Sequence, residues 1–352
     1  VSDLRLVGVS AGYGSQLVLS DATLMAPSGS LTCVLGPSGC GKTTMLRVIA
    51  GFEPARTGTV EIGDREVDGE GRRVAPEHRR VGYVAQEGAL FPHLTVADNV
   101  GFALPRTSRR DRLTRRDAVD EMLALVGLIE LADRYPHQLS GGQQHRVAVA
   151  RALASKPEVV LLDEPFASLD ASLRGQLRED IRGVLRAAAV TTVLVTHDRS
   201  EALSLADQVA VICDGQIVQT GAPRHVYTRP ADAGVARFVG DANLVEATIV
   251  DGSADTVLGP IPVDVTGPVS AGPAQVVVRP EQVVIGEIAS GAPGRVTRVE
   301  YYGHDARIEI DVDHPTAPVR IVTRTEGESA PSEGARVGVS VVGPVWALPP
   351  AR

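Results

Sequence analysis

"LTCVLGPSGCGKTTMLRVIAG" (31–51) joins three local signals in one run. Leu31 to Leu35 is short, apolar and partly β-branched, as a buried strand is. "GPSGCGKT" (36–43) follows and fits the pattern G-x-x-x-x-G-K-[ST]. Gly36, Gly39 and Gly41 allow the backbone to curl until its amides converge on an anion. Lys42 is placed for β- and γ-phosphates, and Thr43 offers a hydroxyl to Mg²⁺. "TTMLRVIAG" then reads as a helix with Leu46, Ile49 and Ala50 on one face and Gly51 as the stop. A phosphate loop between a strand and a helix is the context this pattern requires, and it fits an α/β domain. Gly36, Pro37, Ser38, Gly39, Cys40, Gly41, Lys42, Thr43 and Thr44 form the candidate nucleotide-binding stretch. Cys40 reads as a small filler rather than a nucleophile, because no base lies near it in sequence.

A second glycine-bearing stretch, "LSGGQQHR" (139–146), opens another predicted helix. Ser140, Gly141 and Gly142 would leave amides bare at its N-terminus, where anions are favoured. It has no lysine of its own. "EVVLLDE" (158–164) reads as a buried strand ending in two acids. Asp163 there can hold Mg²⁺, and Glu164 can polarise an attacking water.

Composition sets limits on function. The chain has 352 residues, 43% of them hydrophobic, and a net charge of −8. That is enough for two domains with full cores and argues against nucleic acid as the main partner. "RTSRRDRLTRR" (106–116) is basic, but its interspersed Asp and Leu favour a solvated helix face. Cys33, Cys40 and Cys213 lack a disulfide framework and fit a reducing compartment. No apolar run has the length of a membrane span, and the start of the chain lacks a signal pattern. The expectation is a soluble protein that meets a membrane only through partners.

The predicted order of elements is mixed up to about residue 240. "RVGYVA" (80–85), "EVVLLD" (158–163) and "TTVLVT" (191–196) are core strands, and "DQVAVICDGQIVQTG" (207–221) is a hairpin turning at Asp214-Gly215. Helices are expected at about 111–126, 142–155, 171–188 and 198–206. Beyond about 240, helical periodicity gives way to valine-rich alternation: "NLVEATIV", "AQVVVR", "GRVTRVEYY", "ARIEIDV", "RVGVSVV". This predicts a small all-β, barrel-like domain over 241–352 after an α/β domain over 1–240.

The lysine loop, "LSGGQ", "LLDE", "SLD" (168–170) and "THD" (196–198) occur in one order and spacing. Together they resemble the ATP-binding subunit of an ABC transporter over essentially the whole chain. The resemblance implies a P-loop NTPase cassette with a helical subdomain at about 87–155. It implies ATP and Mg²⁺ as cofactors and a head-to-tail dimer of two copies. Each ATP would lie between the lysine loop of one copy and Ser140, Gly141, Gly142 and Gln143 of the other. That explains a second anion site without a lysine. Tyr13 in "AGYGSQ" resembles the aromatic that stacks on adenine. Gln86 resembles the glutamine that joins Mg²⁺ and water and senses the transporter. Asp170 resembles the acid linking the two sites, and His197 the histidine that contacts the γ-phosphate and orients water. His145 stands where the family pattern has glutamine, beyond the phosphate-facing turn.

"VVVRPEQVVI" (276–285) and "GRVTRVEYYGHDARIEI" (294–310) resemble the accessory TOBE-type β domain of importer ATPases. His304 and Asp305 read as a turn between strands rather than a ligand site. The implied partners are transmembrane permease subunits docking near residues 87–100, and indirectly a substrate-binding protein, at the cytoplasmic face of the cell membrane. Leu90, Phe91 and Leu94 would form an apolar floor for a short partner helix. Within importer ATPases, "QEGALFPHLTV" (86–96) resembles the ferric-iron group more than the sugar group. Sulfate, thiamine, polyamine or sugar import are the alternatives. A soluble ATPase of DNA repair or translation would need a coiled-coil insert or a second cassette. A P-loop kinase or GTPase has no use for "LSGGQ".

Overall fold

The computed structural model describes residues 2–86, 88–104, 109–167, 171–264, 266–269 and 271–350. The chain divides into two compact units, Val1–Pro223 and Arg224–Arg352.

In the first unit, β1 (Leu4–Tyr13), β2 (Gln16–Ala26), β3 (Leu31–Leu35) and α1 (Lys42–Ala50) come first. β4 (Thr57–Ile62), β5 (Arg65–Gly69), β6 (Arg72–Arg73) and β7 (Val81–Val84) follow. Then come α2 (Val96–Val100), α3 (Arg109–Leu125), α4 (Gly141–Ala154) and β8 (Val159–Asp163). α5 (Ala171–Ala187), β9 (Thr191–Thr196), α6 (Arg199–Leu205), β10 (Gln208–Cys213) and β11 (Gln216–Gly221) complete it. One sheet has the order β11-β10-β3-β9-β8-β7, parallel except for the β10–β11 hairpin. That hairpin turns through Asp214 and Gly215, both with positive φ (48° and 78°), as a two-residue primed turn requires. β3, β8 and β9 are buried along their whole length, which a parallel sheet covered on both faces demands.

An antiparallel sheet, β2-β1-β4-β5-β6, shares one apolar core with α1 and the parallel sheet. The sequence reading assigned α1 a single apolar face. Met45, Leu46, Val48 and Ile49 are in fact all fully buried, because the helix packs into a core shared by two sheets, and only Thr43 and Arg47 are left exposed. Gly51 closes it in the left-handed conformation (φ 88°). The strand order places the carboxyl ends of β3, β9, β8 and β7 side by side, and the predicted site residues follow those ends.

The second unit opens with α7 (Pro223–Thr228) and α8 (Ala233–Val239), before the composition break at about 240. Ten strands follow: β12 (Asn243–Val250), β13 (Ser253–Thr256), β14 (Gly259–Pro262), β15 (Gly272–Val278), β16 (Val283–Gly286), β17 (Ala292–Tyr301), β18 (Asp305–Val312), β19 (Val319–Glu326), β20 (Arg336–Val341) and β21 (Trp346–Leu348). They form two antiparallel sheets, β14-β13-β12-β15-β21 and β16-β20-β17-β18-β19, around one valine- and isoleucine-rich core. The all-β expectation holds for this region. Buried Arg279 ties the two helices to it. Its guanidinium donates to the carbonyls of Tyr227, Ala236 and Asp241 and lies 4.0 Å from the centre of the Tyr227 ring. His304 and Asp305 lie at the β17–β18 turn, with His304 exposed. Among the described residues, no helix is long and apolar enough to cross a membrane.

Candidate functional site

The loop after β3 is shaped by its glycines for different reasons. A Cβ on Gly36 would lie 2.5 Å from both Cys40 Sγ and Ile212 Cγ2, so that position has no room. Gly39 has space around it but a φ of 82°. Gly41 has both constraints: φ is 103°, and a Cβ would meet Leu19 Cδ2 at 2.8 Å. Lys42 is only 5% exposed, and its Nζ donates to the carbonyls of Gly36 and Pro37 at 2.8 Å each. The ammonium is thereby held over the loop rather than in solvent. Cys40 is buried against the loop, and burial raises its thiol pKa, consistent with the filler reading. Ser38, Gly39, Lys42, Thr43, Thr44 and Glu164 line a cavity of about 210 Å³.

β8 delivers the two acids to the same place. Asp163 is 6% exposed, and both of its oxygens accept from hydroxyls: Oδ1 from Thr43 Oγ1 at 3.1 Å and Oδ2 from Tyr83 at 2.9 Å. Burial, then the Asp163 charge, keep the Tyr83 hydroxyl protonated far above neutral pH. Glu164 leaves the strand with φ of 44°, a conformation a glutamate rarely adopts, and its N–H donates to Val195 O at 3.0 Å. Its Oε2 lies 3.2 Å from Nδ1 of His197, which follows β9 and stays half exposed. A carboxylate beside an imidazole at the rim of a phosphate loop can take and relay a proton from water.

His197 stands on a braced support. Asp198 caps α6 by accepting from the amides of Ser200 and Glu201. Arg178 of α5 donates to Asp198 at 2.8 Å and to Glu201 at 2.9 Å. Thr196 donates its hydroxyl to Glu201 as well. Sequence reasoning missed this bracket and missed Tyr83. The Asp198-x-x-Glu201 spacing of a helix cap and a lone phenol in an otherwise apolar strand were the available signals.

The remaining candidates lie apart in the chain. Gln86 follows β7 and is exposed. Tyr13 ends β1, is 46% exposed, and sits in a turn whose Gly12 and Gly14 carbonyls accept from Arg56. Asp170 lies outside the described residues. Ser140 caps α4, and a capping box forms: Ser140 Oγ accepts from Gln143 N at 3.3 Å, and Gln143 Oε1 accepts from Ser140 N at 2.9 Å. The amide of Ser140 is therefore not bare, as the sequence alone suggested. Gly141 and Gly142 occupy the first helical positions, whose amides have no intrahelical acceptor. A Cβ on Gly142 would meet nothing within 4 Å. His145 is buried one turn further on, where burial lowers its pKa and keeps it neutral.

Between Gln86 and α2, buried Asn99 organises the chain. Its Oδ1 accepts from Phe91 N, and its Nδ2 donates to the carbonyls of Phe91, Leu94 and Thr95. Phe91 packs on Phe102 with ring centres 4.4 Å apart, and the Arg151 guanidinium lies over the Phe91 ring, 5.4 Å from its centre.

Comparison with known proteins bears on the whole assembly. The ABC transporter family profile matches residues 19–167, and the TOBE domain profile matches residues 276–343. The chain is 46% identical over 344 residues to "Fe(3+) ions import ATP-binding protein FbpC 2" of Rhodococcus jostii (strain RHA1), covering 97% of each protein. It is 43% identical to the Fe(3+) ions import ATP-binding protein FbpC of Mesorhizobium japonicum, covering 97% of this chain and 98% of that one. Among solved structures it resembles the ATP-binding cassette MJ0796 in a dimeric post-hydrolysis state bound to ADP and Pi. That match has a TM-score of 0.52 and 30% identity, over 63% of this chain and 99% of that one. A second dimeric structure of the same cassette matches with a TM-score of 0.53. With the lysine loop, the two acids and the capped glycine helix all in place, and relatives this similar along nearly their whole length, the chain belongs to the ATP-binding subunits of ABC transporters.

Proposed function

We propose that this protein is the ATP-hydrolysing subunit of an importer for ferric iron. The hydrolytic part rests on one observation: Thr43–Asp163 and Glu164–His197 converge on the loop that holds Lys42. Lys42 and the loop 36–44, through the amides of its non-proline residues, would bind the β- and γ-phosphates. Glu164 would act as the base toward water, with His197 orienting it. Asp163 is a buried carboxylate answered by two hydroxyls, a donor set that suits a divalent cation. Thr43, Asp163 and Gln86 would hold Mg²⁺, which supplies neutralising charge at the phosphates. Tyr13 would stack on the adenine.

A second copy would dock head to tail, so that Ser140, Gly141, Gly142 and Gln143 reach the γ-phosphate bound by the first, and Asp170 links the two sites. The dimeric solved neighbours and the open space at Gly142 support this reading. Permease subunits would dock near residues 87–100, on the stretch that Asn99 organises around Phe91 and Leu94. A substrate-binding protein would act through them, with this chain peripheral at the cytoplasmic face. Residues 1–240 would serve as the cassette and 241–352 as the accessory domain for dimer contact or regulation.

The iron assignment is supported by the names and similarity of the relatives. It is tested by loss of the gene in a cell without a second iron importer. ATP-dependent uptake of labelled Fe³⁺ should fall, while sulfate and sugar uptake remain. Normal iron uptake would remove the cargo and leave the ATPase reading intact.

A further inference from the structure

Asp163 accepts a hydrogen bond from each side. Thr43, the second residue of α1, takes one oxygen, and Tyr83, on β7, takes the other. Tyr83 pairs in register with Leu161, so its side chain lies on the same sheet face as Leu161 and Asp163, the face toward α1. Its ring meets Phe52 edge-on with centroids 5.5 Å apart and planes at 80°. β7 is the edge strand of the parallel sheet and leads within two residues to Gln86. The phenol oxygen is thus held by a buried carboxylate, while Phe52 only packs on the ring.

A carboxylate rotates freely about its last torsion unless its oxygens are held. With Oδ2 engaged by Tyr83, Oδ1 can only face the Thr43 hydroxyl, where a cation at the phosphates would sit. From this geometry we infer that Tyr83 is a positioning residue for the metal centre: it orients Asp163, and it ties that ligand to the strand that ends at Gln86. The inference rests on the reading of Asp163 as a Mg²⁺ ligand. Groups that hold a metal ligand in place typically affect metal affinity by about 10- to 100-fold. A phenol that merely satisfies its own buried hydroxyl would affect fold stability and leave metal affinity alone.

Tyr83→Phe removes only the hydroxyl and keeps the ring on Phe52. Phe52→Leu removes the ring contact and keeps the hydroxyl. The intact chain is titrated with Mg²⁺ in the presence of a non-hydrolysable ATP analogue, and thermal stabilisation is followed. Binding of the same analogue in EDTA is measured in parallel, together with melting of the nucleotide-free protein. For Tyr83→Phe we expect the Mg²⁺ midpoint to rise about tenfold, at the low end of that range, with unchanged binding in EDTA. For Phe52→Leu the midpoint should match wild type. An unmoved midpoint in Tyr83→Phe overturns the inference alone, as does an equal shift in both variants. Absence of any Mg²⁺ response in the wild type overturns the metal reading of Asp163 and this inference with it.

Discussion

The two glycine-rich stretches of the first unit differ in what their glycines answer to. In the loop at 36–43, the chain itself crowds two of the glycines: Gly36 is pressed by Cys40 and Ile212 and Gly41 by Leu19, while Gly39 is left open with a positive φ, and Lys42 folds onto the carbonyls of Gly36 and Pro37. At the start of α4, the Ser140–Gln143 capping box is complete, yet nothing in the chain approaches Gly142. The first stretch is a finished cradle. The second is a well-made helix end with open space at Gly142, the side on which the proposed second copy would present its γ-phosphate. A glycine that internal packing does not require leaves the helix-end amides open to the close approach of an anion that the proposed dimer calls for.

Chemistry should separate from binding most sharply at the finished cradle. Glu164→Gln is expected to lower steady hydrolysis by roughly 10²–10⁴-fold, the usual contribution of a general base, with ATP affinity kept. Lys42→Ala should instead lose nucleotide binding itself. ATPase assays and equilibrium binding distinguish the two, and equal losses of affinity would place Glu164 in the cradle rather than in the chemistry.

The glycines test the comparison directly. Gly36→Ala should destabilise the unit by about 1–3 kcal/mol through overpacking, read as a Tm fall of roughly 2–10 °C. Gly142→Ala should leave stability unchanged or raise it by up to about 1 kcal/mol, since alanine favours helix. Its hydrolysis should nevertheless drop by roughly 10- to 100-fold, as expected for a misplaced γ-phosphate contact. Full activity in Gly142→Ala would end the claim that the open side receives a ligand.

Tyr13→Ala probes the proposed stacking on adenine. Stacking on a base is worth about 1–3 kcal/mol, so ATP and GTP affinity should both fall about tenfold or more. An unchanged affinity would make Tyr13 a turn residue only.

The smallest effect is expected at His145, just inside the second stretch. Its folded pKa lies below the ordinary value of about 6.5 because burial disfavours the charged ring. Below that ordinary value the unfolded chain binds a proton that the folded chain resists, so stability falls as pH drops. Above it both states are neutral and the residue contributes nothing. His145→Gln should flatten this acid limb of a Tm-against-pH curve, with no change near pH 8. An identical limb in the variant would assign the acid sensitivity elsewhere.

Much of this molecule was legible as sequence because the signals are local. β3, β8 and β9 are continuous apolar runs, the hairpin at Asp214-Gly215 is turn chemistry, and the valine alternation beyond 240 is strand periodicity. Less visible were the antiparallel sheet beside α1 and the two short helices before 240. β1 and β2 run for 10 and 11 residues, but shifts in their pairing register interrupt the alternation, and β4, β5, β6 and the two helices are short. The helix that the sequence drew with one apolar face buries more than that face and exposes only Thr43 and Arg47, since periodicity reports which residues are apolar and not how many layers will cover them.

The sequence by itself determined the phosphate loop, the acids at the end of β8, the histidine after β9 and the glycine-bearing helix start, though not its cap, because each depends on neighbours a few residues away. Only the tertiary structure decided that Thr43 and Tyr83 share Asp163 across 120 and 80 residues, that Glu164 turns to meet His197, and that Gly36 and Gly142 have opposite surroundings. Those facts follow from the order in which parallel strands lie side by side. That order is set by how whole layers bury their apolar faces, and no local stretch of sequence carries it.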